Sequence, residues 1–218
     1  MQDAPLFADR AEAGERLAAR LREMPRAMSW SDPVVLGLAR GGVPVARRVA
    51  EAIDAPLDVA VSRKIGAPGR REFGVGAVTA DGPAYFDEDT LAALGLSPAD
   101  LQVDCERERA EARRQVERYR AGRDPLPLAG RDVLLVDDGL ATGVTARAAI
   151  AQVRAAGPRR VLFAAPVCAR RSQAALQADS DADDVVCVAV PAEFRAVGIW
   201  YRDFHQTSDE EVLAALER

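Results

Sequence analysis

The sequence predicts an α/β domain, a mostly parallel sheet flanked by helices. Three observations lead there. Short apolar runs rich in Val, Leu and Ala recur at 33–38, 57–61, 132–136, 160–167 and 185–190. Segments of helical periodicity separate most of them, as crossover connections between parallel strands require. No internal repeat or low-complexity linker breaks the alternation, and 218 residues suffice for one well-buried domain with a small lid.

Taken in order, Asp9 to about Met24 reads as an amphipathic helix. Asp9 can cap it, Glu12 follows three residues later, and Leu17 and Leu21 share a face. Pro33 to Leu38 is a strand that ends in Ala39-Arg40-Gly41-Gly42, and a helix follows from Val43 to about Ala52. Leu57 to Val61 is a second strand, ending at Ser62-Arg63-Lys64. The Gly/Pro/Arg segment from Gly66 to Arg71 reads as a mobile loop. Val75–Thr79 and Ala84–Phe86 look like short strands joined by the turn Asp81-Gly82-Pro83. Asp87–Leu94 and Pro98 to about Arg120 are helical. The second of these carries Glu106, Arg109, Arg113 and Glu117, a balance of signs that argues for a solvated face and against an RNA-binding one. Then follow strand Asp132–Val136, helix Thr142–Ala156 closed by Gly157-Pro158, strand Arg160–Val167, helix Arg171–Ala178 and strand Val185–Val190. An aromatic-rich stretch, Phe194 to Phe204, leads to a last helix starting near Ser208.

Composition narrows the function classes. A net charge of -5 gives no reason to expect nucleic acid or a membrane surface as partner. No apolar run approaches the roughly 20 residues that span a bilayer. The stretch beginning at Met1 has neither a basic start nor an apolar core, so it does not read as a signal peptide, and a cytoplasmic location is expected. Cys105, Cys168 and Cys187 are widely spaced and form no Cys-x-x-Cys pair, so three reduced thiols and no thiolate zinc site are expected. His205 is the sole histidine, which excludes multi-histidine metal sites, and no Gly-x-Ser-x-Gly elbow accompanies it. Lys64 is the sole lysine in an arginine-rich chain. It is either a chance survivor on the surface or a compact point charge kept for a purpose.

The segment that carries chemistry runs from Val133 to Thr145. An apolar strand delivers Asp137 and Asp138 at its carboxyl end, and a loop of small and hydroxyl residues leads into a helix. Ligands of open α/β sheets bind beyond the carboxyl ends of the strands, and a helix N-terminus offers free N–H groups to a phosphate. Gly143 permits close backbone approach, and Thr142 and Thr145 add hydroxyl donors. Two adjacent carboxylates suit the vicinal hydroxyls of a ribose, so the segment describes a ribose 5-phosphate site. Neither a Gly-Lys-Ser/Thr loop nor a Gly-x-Gly-x-x-Gly fingerprint is present.

The string Val-Leu-Leu-Val-Asp-Asp-Gly-Leu-Ala-Thr-Gly-Val-Thr resembles the signature with which type I phosphoribosyltransferases bind phosphoribosyl pyrophosphate (PRPP). The resemblance implies their Rossmann-like fold as a single domain over 1–218, with a core at about 33–65 and 130–190. A helical insertion at about 87–122 and a small hood at about 191–206 complete it. It implies transfer of ribose 5-phosphate from PRPP to a nitrogen acceptor, a nucleobase in most members, with release of pyrophosphate. Asp137, Asp138 and Lys64 take the catalytic roles, and Ala141, Thr142, Gly143, Val144 and Thr145 cradle the 5-phosphate. Arg40, Gly41, Gly42, Arg63 and Lys64 meet the pyrophosphate, and the Ala39–Arg40 peptide is expected to be cis. Gly66 to Phe73 takes the place of the family's flexible loop, with Arg70 and Arg71 as closing charges. Mg2+ is the implied cofactor, held mainly through PRPP with Asp138 as a further ligand. PRPP and the acceptor are the expected partners, and a homodimer the expected assembly. Gly139 departs from the aliphatic residue of many members, which is expected to loosen the turn.

The acceptor is less defined. Ala141 stands where 6-oxopurine enzymes carry an aspartate, which argues against hypoxanthine and guanine and leaves adenine, a pyrimidine or a non-standard amine open. Phe194, Trp200 and Tyr201 are the candidates for base binding, with Phe194 first for stacking; a core cluster is the competing reading. The rival to the enzyme is a non-catalytic PRPP- or nucleotide-sensing regulator on the same fold.

Overall fold

A computed structural model describes residues 5–24, 30–179 and 182–217, with side chains for all of these except 71, 72 and 179. Five strands form one parallel sheet in the order β2-β1-β6-β7-β8: β1 (Val34–Leu38), β2 (Leu57–Ala60), β6 (Asp132–Val136), β7 (Arg160–Val167) and β8 (Asp184–Ala189). Every residue of β1 and β6 is buried, as strands covered on both faces demand. One face packs on α1 (Arg10–Arg22) and α2 (Gly42–Ile53) through Leu17, Leu21, Val45 and Val49. The other packs on α5 (Val144–Ala155) and α6 (Arg170–Asp179) through Ala149, Ile150, Val153 and Leu176. Asp9 caps α1 by accepting the Glu12 N–H at 2.9 Å. Ser208 caps α7 (Asp209–Leu216) in the same manner.

Between β2 and β6 the chain leaves this sheet. Strands β3 (Ser62–Ala67), β4 (Arg70–Thr79) and β5 (Tyr85–Phe86) form an antiparallel ribbon. The expected mobile loop at 66–71 is therefore corrected. Gly66 and Ala67 are strand residues with partners Gly74 and Arg70, and only Pro68-Gly69 remain as the turn, with Gly69 at a positive φ of 73°. Gly and Pro read as breakers along the whole segment, yet two residues suffice to reverse the chain.

The helical segment that follows comprises α3 (Glu88–Leu94), a 3-10 turn (Pro98–Leu101) and α4 (Gln102–Arg120). The solvated face expected for α4 holds only in part. Arg107 pairs with Asp104 at 2.6 Å on the surface. Arg109, however, donates to the carbonyls of Thr79 (3.0 Å) and Gly82 (2.7 Å), and Arg113 to that of Ala80 (3.1 Å). Arg120 lies 3.2 Å from Asp58 of β2. The arginines of α4 thus dock it onto the ribbon and the sheet edge.

The cysteine reading is also corrected. Cys168 and Cys187 form a disulfide, while Cys105 stays free. Spacing in sequence concealed this: β7 and β8 are sheet neighbours, and the two Cα atoms lie 6.2 Å apart. No helix among the described residues is long and apolar enough to cross a membrane.

Candidate active site

Parallel pairing brings the ends of β1, β6 and β7 together, so the segments after Leu38, Val136 and Val167 meet at one end of the sheet. Asp137 continues β6, its N–H donating to the Ala164 carbonyl at 3.1 Å. Its Oδ1 accepts the Asp138 N–H at 2.8 Å. Asp138 turns towards α1, where its Oδ2 accepts from Arg10 Nε at 3.0 Å and faces Nη2 at 2.9 Å. Beyond the diacid, the Leu140 N–H donates to Val167 and the Ala169 N–H to Leu140, both at 2.8 Å. The Ser172 hydroxyl donates to the Ala141 carbonyl. These bonds lace the 137–143 loop to the segment after β7.

Gly143 opens α5 at a φ of +84°, a region that disfavours any side chain. The first helical bond runs from Arg147 N–H to the Gly143 carbonyl at 2.9 Å. The N–H groups ahead of it in that turn have no intrahelical acceptor. The helix begins two residues later than expected, at Val144. Thr142 therefore lies in the exposed loop beside Ala141, while Gly143 and Val144 are buried and Thr145 is half-buried.

The 39–42 segment lies directly on the diacid. A methyl group at Gly41 would stand 2.0 Å from Asp138 Oδ2, and one at Gly42 would stand 2.5 Å from the Val136 carbonyl oxygen. Both positions therefore need glycine for close approach. The Ala39–Arg40 peptide is cis, as expected. Arg40 is half-buried, with Nη1 3.8 Å from Asp209 Oδ1. From the ribbon, the exposed Lys64 adds a charge that favours ionised Asp137, after burial, the Asp138 charge, the Asp138 N–H and Arg10. Strand alternation sends the preceding Arg63 to the other face, where its Nη2 meets Glu108 of α4 at 2.9 Å. The structure thus unites Gly41, Gly42, Asp137 and Asp138, with Arg40 and Asp138 lining one cleft, and leaves Arg63 outside.

Residues 7–200 match the family model of the phosphoribosyl transferase domain. The chain belongs to the phosphoribosyltransferase family. A Mycobacterium tuberculosis protein named "putative phosphoribosyl transferase" is 45% identical over 213 residues, which are 98% of this chain and 47% of that protein. The chain thus spans about half the length of the curated relatives it matches. TT1426 of Thermus thermophilus is similar in structure, at 42% identity and a TM-score of 0.78 over 96% of this chain and 97% of that one. AQ2163 of Aquifex aeolicus shares the fold at 12% identity, with a TM-score of 0.54 over 91% and 82% of the two chains.

The segment from Phe194 to Phe204 differs from what the sequence predicts. Trp200 and Tyr201 are 3% and 4% exposed and pack with Phe7, Ala13 and Val167. Rings so covered cannot stack on a base, so the competing core reading holds for both. Tyr201 instead donates its hydroxyl to the Asp138 carbonyl at 2.6 Å. Phe194 is half-buried against the same cluster. Gly139 does not loosen the turn: a methyl there would stand 2.4 Å from Val197 Cγ1, so the glycine lets the hood close over the loop. Arg70 is exposed at the ribbon's tip, and the side chain of Arg71 falls outside the described part.

Arg10 is the functional residue that the sequence reading missed. It is 8% exposed, donates to the His205 carbonyl at 2.8 Å and lies 4.0 Å above the Phe204 ring. A signal was present: Arg10 falls on the stripe of Ala13, Gly14, Leu17, Ala18 and Leu21 that α1 buries, and a cation there needs a partner. A cleft of about 330 Å³ opens between Arg10, Arg40, Asp138 and residues 204–207. Burial pushes the Asp137 carboxyl well up, and the Asp138 charge adds to this against the Asp138 N–H, Arg10 and Lys64. Burial also raises Asp138, opposed by the Arg10 guanidinium. The exposed His205 is raised by Glu211 first, 2.7 Å away, and by Asp203. Among the described residues no group of three or more His, Cys, Asp and Glu could hold a metal ion. The donors present fit a hard cation that draws most of its oxygens from a phosphate ligand and water. Arg10 engages Oδ2 of Asp138, and Asp138 is the carboxylate of the pair that lines the cleft.

Proposed function

We propose that the chain transfers ribose 5-phosphate from PRPP to a nitrogen acceptor and releases pyrophosphate. One observation carries this reading: Gly41 and Gly42 lie against a diacid whose own loop opens the N-terminus of α5. A site for pyrophosphate, one for ribose hydroxyls and one for the 5-phosphate are then contiguous. The N–H groups of the 142–145 turn hold the 5-phosphate. Asp137 and Asp138 accept from the 2- and 3-hydroxyls and oppose the positive charge that grows on the ribose as the bond from C1 to pyrophosphate breaks. Arg40 and Lys64 receive the charge that develops on the leaving group. Asp137 and Asp138 are the carboxylates that would hold a Mg2+ ion arriving with PRPP, and when bound it would supply further neutralisation of that group. The β3–β4 ribbon is the element placed to exclude water from the site.

Phe194 is the residue proposed to stack on the acceptor. Ala141 carries no group to take a proton from a 6-oxopurine, so adenine, a pyrimidine or another amine is favoured over hypoxanthine and guanine. A panel of these acceptors with saturating Mg-PRPP, read as pyrophosphate release, tests the proposal. Turnover of at least one supports it, and robust turnover of hypoxanthine or guanine contradicts the argument from Ala141. A second reading, a PRPP- or nucleotide-sensing protein, is favoured by the ion pair that already occupies Asp138. Tight binding of Mg-PRPP with no acceptor turned over would select it.

A further inference from the structure

We propose that Tyr119 and Asp209 are positioning residues for Arg40, so that α4 and α7 together hold the loop assigned to pyrophosphate. The inference rests on that assignment and gives a role to the helical insertion, which the proposed reaction leaves unused.

Helix α4 is charged along most of its length, yet Tyr119 near its end is fully buried. Its ring joins Val43, Val59, Val61, Val212 and Leu216 in one apolar cluster, with Ala39 packed against it. Ala39 and Val43 are the two residues that flank Arg40-Gly41-Gly42. The cluster that holds the ring therefore includes both residues flanking the loop. Its hydroxyl donates to Asp209 Oδ1 at 2.5 Å, and Arg118 pairs with Oδ2 of the same carboxylate. Burial and the Asp209 charge push the phenol up, so it remains a donor at neutral pH. Asp209 Oδ1, fixed in this way at the start of α7, is the oxygen that faces Arg40 Nη1 at 3.8 Å. That separation exceeds a hydrogen bond. Asp209 thus orients the guanidinium by charge and leaves its donors for phosphate oxygens. Packing alone would be satisfied by phenylalanine. The buried hydroxyl and its carboxylate form a two-step connection from the insertion to the one charged side chain of the 39–42 loop.

A double-mutant cycle tests this, with Mg-pyrophosphate and Mg-PRPP affinities measured by calorimetry. Tyr119→Phe is expected to weaken both ligands by about threefold to tenfold, the net scale of one ordinary intramolecular hydrogen bond. Asp209→Asn should do the same, and Asp209→Glu should recover part of the loss. In an Arg40→Gln background neither change should weaken binding further, because the effect passes through Arg40. Losses that add to that of Arg40→Gln, or affinities that stay constant while the melting temperature falls, would overturn the positioning role. Should Tyr119→Phe fail to fold, the Asp209→Asn and Arg40→Gln cycle decides alone, since Asp209 stands at a partly exposed helix start. Wild-type protein that binds neither ligand would remove the proposed reaction and this inference together. Binding with additive losses would remove only this inference.

Discussion

Asp137 and Asp138 end a strand whose five residues are all buried, and the loop after them is held by bonds to the segment that follows the next strand. The neighbouring wall, from Phe194 to Thr207, is held by residues nearly two hundred positions away. The Leu6 and Phe7 N–H groups donate to the Trp200 carbonyl at 2.9 and 3.0 Å, and Arg10 reaches the His205 carbonyl. The first wall is consecutive chemistry on a rigid strand end. The second is assembled from both ends of the chain, and its aromatic rings serve that assembly before they serve any ligand. Arg10 joins the two, since the same guanidinium holds Asp138 and the 204–205 turn.

The largest effect should come from breaking that junction. Arg10→Gln leaves the Asp138 carboxyl without its cation and frees the 204–205 turn. A loss of about 3 kcal/mol in unfolding free energy is expected, on the scale of a broken buried pair. Chemical denaturation checks it, and a loss under about 1 kcal/mol, as for exposed pairs, would separate the two walls. Next comes the strand-end wall alone. Gly42→Ala drives a methyl group against the Val136 carbonyl and should cost about 2 kcal/mol, as overpacking does. Crystallography of a variant with undiminished stability would show whether β6 had moved instead.

Lys64 gives a sharper view of the same wall. It is the single lysine, it is exposed, and its charge favours ionised Asp137. An amine-specific reagent thus has one side-chain target, and Mg-PRPP should slow its modification. Equal rates with and without the ligand would place Lys64 outside the site. The smallest effect concerns Asp137 and pH. Its folded pKa lies above the ordinary carboxylate value, so ionising it costs stability, and the cost grows as pH rises towards the folded value. Asp137→Asn should therefore melt above the wild type at neutral pH, with the difference vanishing below about pH 4, where both side chains are neutral in either state. A variant less stable at neutral pH would mean that the Asp137 carboxylate is stabilised by the fold.

The two walls also differ in how far they could be read from sequence. β6 and β7 begin and end where the apolar runs do, because buried parallel strands show as continuous hydrophobic stretches. The place of the diacid just after β6 and of Gly143 at the start of α5 was legible for a related reason, since both follow from neighbours within a few positions. Trp200 and Tyr201 were not, since burial against Phe7 is a long-range fact and an aromatic run reads alike in a core or a pocket. The Cys168–Cys187 disulfide needed the β7–β8 pairing to be known. Arg63 and Lys64 look equivalent in sequence, and only the pleat of β3 sends Arg63 to Glu108 and Lys64 to the opposite face.

The strand-end wall is proposed to bind PRPP through its two carboxyls. Calorimetry of Mg-PRPP against wild type and the Asp137→Asn, Asp138→Asn double variant measures this directly. The double variant is expected to fold and to lose about 100-fold in affinity, or roughly 2.7 kcal/mol, as two charged acceptors become neutral. A folded double variant that binds Mg-PRPP as tightly as the wild type would contradict it.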